Sequence, residues 1–77
     1  MKYIILNGEI PVLFPDSLKH NIFIVMKELG YKITSAGFVS LYESEEVEAD
    51  AYGESVSLRI GSNPVKDSLI ITKDLRR

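Results

Sequence analysis

The dipeptide Asn7-Gly8 lies between two β-rich runs, residues 2–6 and 9–14, and commits the start of the chain to a hairpin. Asn and Gly tolerate positive φ, which a two-residue type I′ turn requires at both central positions. Pro11 lacks an amide donor, so the second run belongs at an edge or a non-pairing position of a sheet. The rest of the chain has to cover this hairpin.

Pro15 ends the second run, and Asp16 or Ser17 suits a helix cap. Leu18, Ile22, Val25, Met26 and Leu29 then recur at spacings of three and four, and Gly30 follows where a left-handed C′ residue is wanted. This spacing predicts a well-buried helix over 17–29, its stripe widened by Phe23 and Ile24. Residues 31–42 read as a strand, interrupted at Ser35-Ala36-Gly37 by a bulge or a close backbone approach. After a turn at Ser44-Glu45-Glu46, Val47, Ala49 and Ala51 alternate with Glu48, Asp50 and Tyr52 in a strand with one wet face. Gly53-Glu54 breaks the pattern, and Val56, Leu58 and Ile60 predict a further strand over 56–60. Asn63-Pro64 is helix-start chemistry, cap followed by first helical residue. The run Leu69-Ile70-Ile71-Thr72 also suits a strand. Asp67 in a first turn and Lys73, Arg76 and Arg77 in a last turn favour a helix over 64–75.

The expected order is β-β-α-β-β-β-α. This is an α+β, two-layer fold, an antiparallel sheet with both helices packed on one face. With 77 residues the chain is one small domain, 1–77, with a thin core and little room for a deep pocket. Hydrophobic residues at 45% are too many for a disordered chain. The absence of cysteine excludes disulfide staples and thiolate metal sites. A secreted domain of this size would need such staples, and the opening apolar run is too short for a signal peptide or a membrane span. The expectation is a cytoplasmic protein with no membrane association.

Candidate chemistry is sparse. Gly53-Glu54-Ser55-Val56-Ser57 lacks the final glycine of a nucleophile elbow and sits between strands. His20, the only histidine, has no second histidine or cysteine to complete a metal site and reads as a solvent-facing helix residue. No catalytic residue, metal or cofactor is assigned, and the expectation is a protein that is not an enzyme. Aromatics beside glycines, in Ser35-Ala36-Gly37-Phe38 and Tyr52-Gly53, read as packing ahead of recognition. Tyr42 and Tyr52 lie among acids, which repel phosphate.

Charge is uneven. Net charge is −2, yet Glu43, Glu45, Glu46, Glu48, Asp50 and Glu54 fall together with no Lys or Arg among them. Carboxylates alternating along a strand project in a row and do not converge on a cation. Glu43, Glu45, Glu46, Glu48 and Asp50 are therefore the candidate contact for a protein partner, weighed against a plain solvated face. Leu69, Ile70 and Ile71 are the candidate contact for a homodimer, with Ile70 off the helical stripe. Lys66, Lys73, Arg76 and Arg77 are the only concentrated bases for nucleic acid, and four terminal charges bind it weakly.

Three stretches carry a resemblance: Tyr3-Ile4-Ile5 through Phe14-Pro15-Asp16-Ser17, Thr34-Ser35-Ala36-Gly37-Phe38, and Tyr52-Gly53-Glu54-Ser55-Val56-Ser57-Leu58. Across most of its length the chain resembles small uncharacterised proteins encoded by bacteriophages and prophages. The resemblance implies a bacterial or phage cytoplasmic setting and an accessory role, possible action on a host protein included, and it brings no active site. The functional expectation is a small, non-enzymatic protein-binding module. Homodimeric self-association and weak nucleic-acid binding are the alternatives.

Overall fold

The structure is a computed structural model that describes residues 1–43 and 46–76. Strands β1 (Lys2–Leu6) and β2 (Ile10–Phe14) form the expected hairpin. Asn7 and Gly8 have φ of 53° and 73°, and the Glu9 amide donates to the Leu6 carbonyl. A 3-10 segment, His20–Ile24, runs into the short helix α1, Val25–Glu28. Strands β3 (Ile33–Glu43) and β4 (Val47–Tyr52) follow, then the short pair β5 (Glu54–Ser55) and β6 (Ile60–Gly61), and finally helix α2 (Pro64–Leu75). The main sheet is antiparallel with the order β2-β1-β3-β4, and Pro11 lies on the edge strand β2.

The class is α+β, as expected, but the helices lie on opposite faces of the sheet. Tyr3 and Ile5 point to one side, where they join Val39, Ala49, Ala51 and Ile71 of α2. Ile4 and Leu6 point to the other, where they join Phe14, Ile33, Ala36 and Leu58, with Phe23, Met26 and Ile60 packed against them. The cause is legible in β1, which is apolar at every position from Tyr3 to Leu6. A central strand with two apolar faces needs cover on both. The second cover is the 3-10 segment with α1 and the β5–β6 hairpin.

Two elements differ from the sequence expectation. Over 17–29 the inward residues are His20, Phe23 and Met26; the first two lie one turn apart in the 3-10 segment and Met26 in the α-helical turns that follow it. Leu18, Ile22, Val25 and Leu29 are left exposed. No side chain caps this segment; Asp16 instead pairs with the N-terminal ammonium at 3.0 Å. The strand expected over 56–60 is a turn at 56–59 between β5 and β6, with Arg59 at φ 56°. Ser55 Oγ accepts from the Leu58 amide at 3.2 Å, which turns Leu58 inward and leaves Val56 exposed.

In β3 the irregularity falls at Thr34, where the register against β1 shifts between Ser35 and Ile33. Gly37 meets the other half of that expectation. A β-carbon there would lie 2.5 Å from the Tyr52 carbonyl oxygen, so only glycine permits the approach.

Candidate functional site

Beyond the core, β3 and β4 continue as a two-stranded arm whose register is Phe38↔Tyr52, Ser40↔Asp50, Tyr42↔Glu48 and Glu43↔Val47. Side chains alternate along each strand, so Phe38, Ser40, Tyr42, Glu48, Asp50 and Tyr52 share one face. Val39, Leu41, Ala49 and Ala51 share the other, where α2 covers Val39, Ala49 and Ala51 and leaves Leu41 exposed. Beyond Phe38 the first face has no such cover among the described residues: Tyr42 and Tyr52 are 55% and 49% exposed, and Glu48 and Asp50 are exposed beside them. Tyr52 is held by stacking on Phe38, with ring centroids 5.9 Å apart. Phe38 in turn meets the edge of His20, and His20 meets Phe14. A chain of aromatic contacts therefore anchors the exposed tyrosine to the core.

Helix α2 closes the outer edge of the arm. Ser68 Oγ accepts from the Ala51 amide at 2.9 Å and Thr72 Oγ1 from the Ala49 amide at 3.0 Å, while Arg76 Nε donates to the Val47 carbonyl at 3.2 Å. The pairing works because the rises match: four helical residues climb about 6 Å and two strand residues about 6.7 Å. Edge addition of another strand is thereby blocked along β4.

The acidic residues divide between two directions. Arg76 reaches Glu46 at 3.0 Å and Glu48 at 3.4 Å, in pairs that are largely open to solvent. Glu43 and Glu46 line a shallow hollow with Val47, Leu75 and Arg76, on the helix side of the arm. Asp50 forms no salt bridge among the described residues and lies on the tyrosine face. Glu45 lies outside the described residues. The four described candidate acids thus do not form one surface; Glu48 and Asp50 belong to the tyrosine face, and Glu43 and Glu46 to the other side.

The remaining candidates are dispersed. Ile71 is fully buried in the core, Ile70 is half-buried against it and Leu69 is exposed, because 64–75 is a helix whose inner face passes through Ile71. They do not share one exposed surface. Arg76 pairs with Glu46 and Glu48, Lys66 and Lys73 are exposed, and Arg77 lies outside the described residues. His20 is buried, contrary to the sequence reading; its Nε2 donates to the Gly37 carbonyl at 2.9 Å. Ser55 serves the Leu58 turn and makes no hydrogen bond to His20.

One arrangement had no signal in the sequence. A cleft of about 300 Å³ is lined by Thr34, Ser35, Ser62, Asn63, Lys66 and Asp67. At its base the buried Asp67 carboxylate accepts from the Tyr3 hydroxyl and from the Asn63 amide, at 2.5 and 2.9 Å. Burial pushes the Tyr3 phenol far above its ordinary range, and the Asp67 hydrogen bond and charge push the same way. Both donors converge on Oδ2 of Asp67, which makes this group a structural bolt. Among the described residues no three His, Cys, Asp or Glu side chains are placed to hold a metal ion, and no helix is long and apolar enough to cross a membrane.

Comparison with known proteins gives no match to a family model, to a curated sequence or to a solved structure.

Proposed function

We propose that this chain is a small, non-enzymatic protein-binding module, and that it docks a basic segment of its partner on the tyrosine face of the β3–β4 arm. The observation that carries this reading is the pairing of two exposed tyrosines with Glu48 and Asp50 on a face that no other element covers. Tyrosine supplies large contact area at low entropic cost, and is enriched in protein interfaces. Flanking carboxylates favour Lys or Arg on the partner and repel acidic chains. The closed edge of β4 supports docking on the face over strand addition. Such a module suits the accessory role implied by the resemblance to phage and prophage proteins, with a host protein as partner.

Selection from an unbiased displayed peptide library tests it. The expected result is enrichment of peptides carrying Lys or Arg next to an apolar residue, with binding reduced at least about tenfold by Asp50→Lys or by Tyr42→Ala. Enrichment of acidic peptides, or binding that both substitutions leave intact, would overturn it.

A further inference from the structure

The segment 18–29 keeps apolar side chains on the outside that its sequence spacing would have buried. Leu18, Ile22, Val25 and Leu29 are 41%, 49%, 44% and 68% exposed, while His20, Phe23 and Met26 face the sheet. Isolated exposed apolar residues are ordinary, but several along one short segment mark an interaction surface. The question is what covers them, and the order of residues supplies an answer.

Reversed about a point between Phe23 and Ile24, the segment matches itself at three outward pairs, though not at His20 and Lys27 or Asn21 and Met26. Leu18 falls opposite Leu29, Ile22 opposite Val25, and Lys19 opposite Glu28. Lys19 and Glu28 are both exposed. We infer that this surface is the interface between two copies of the chain, packed antiparallel across a two-fold axis. In a two-fold interface residue i of one copy meets residue j of the other while j meets i, and here three such pairs join apolar with apolar or opposite charges. The two Lys19–Glu28 pairs close the ends of the apolar contact. A parallel arrangement would instead set Lys19 against Lys19 and Glu28 against Glu28, so charge selects the antiparallel one. The 3-10 turn running into α1 serves this arrangement, because it turns His20, Phe23 and Met26 inward and leaves Ile22 and Val25 exposed. This interface uses none of Leu69, Ile70 and Ile71, and it is independent of the tyrosine face.

Sedimentation equilibrium of the full chain at low ionic strength, extended to about 1 mM protein, gives the test. A concentration-dependent dimer is expected. Val25→Asp should abolish it by placing an unpaired carboxylate in the contact of each copy. Glu28→Lys should weaken it about three- to tenfold, and the double variant Lys19→Glu with Glu28→Lys should restore it. All three positions are exposed, and circular dichroism checks that the fold is kept; if Val25→Asp fails to fold, the charge exchange alone decides. A chain that stays monomeric throughout, a dimer indifferent to Val25→Asp, or a double variant no tighter than Glu28→Lys would each overturn the inference.

Discussion

The Tyr3 hydroxyl donates to Asp67 Oδ2 at 2.5 Å, joining the central strand to the first turn of α2 across 64 positions of sequence. Both residues are buried, and the same carboxylate oxygen accepts from the Asn63 amide just ahead of the helix. Asp67 thus satisfies the main-chain amide of the N-cap residue Asn63, whose own side chain makes no cap hydrogen bond. Tyr3→Phe keeps the ring in the core and removes only the donor. The expected cost is about 1–3 kcal/mol of stability, read from urea denaturation, because the buried carboxylate loses a partner.

The same pair sets a dependence on alkaline pH. The folded-state phenol is raised above its unfolded value near pH 10. A group raised in this way contributes stability that is complete below the unfolded value and is lost as pH climbs towards the folded one. The urea midpoint should therefore show no fall from Tyr3 up to about pH 10 and a steep fall above it. In Tyr3→Phe that part of the fall should be missing. An unchanged alkaline slope in the variant would show that Tyr3 does not link the fold to pH.

The ladder from α2 to β4 predicts a local effect. Thr72→Val is close to isosteric but removes the acceptor of the Ala49 amide. The expected loss is about 1 kcal/mol. Hydrogen exchange should quicken at Ala49 and leave Ala51, held by Ser68, nearer its original rate. Uniform quickening along β4 would mean that the helix covers the edge by packing alone.

What could be read from the sequence follows a physical division. The Asn7-Gly8 turn, the strand Val47–Tyr52 and the helix Pro64–Leu75 are set by local chemistry: positive φ, strict alternation, and a proline at the first helical position. Each appears where the residues alone placed it. The side of the sheet on which each helix packs depends on β1 being apolar on both faces, a matter of long-range pairing. The tyrosine face was half legible. Alternation set Glu48 and Asp50 together, but Tyr42 and Ser40 join them only through the β3 register. Tyr3 and Asp67 meet through tertiary packing alone, and no local pattern marks them.

Gly37 offers a paired test of close approach. In Gly37→Ala the new β-carbon would stand 2.5 Å from the Tyr52 carbonyl oxygen, and that neighbour is main chain with no flexible end to move. The expected loss is about 2–3 kcal/mol, from strain between β3 and β4. Gly61→Ala meets nothing within 4 Å and should stay within about 0.5 kcal/mol of the parent. Equal effects at the two positions would remove the steric account of Gly37.

The period of the segment 20–28 can be decided by two truncations. If the segment were α-helical over 17–29, Ile22 would lie on the buried stripe and its removal would be costly. In the structure Phe23 packs on Phe14 with ring centroids 4.6 Å apart, and Ile22 is 49% exposed. Phe23→Ala should therefore cost about 3 kcal/mol, for lost burial and the cavity left beside Phe14. Ile22→Ala should change the stability of the monomer by no more than about 0.5 kcal/mol. The comparison belongs at low micromolar protein, below any self-association, so that the interface does not contribute. A larger loss at Ile22 than at Phe23 would return the segment to a period of 3.6 and take away the outward flank on which the antiparallel pairing depends.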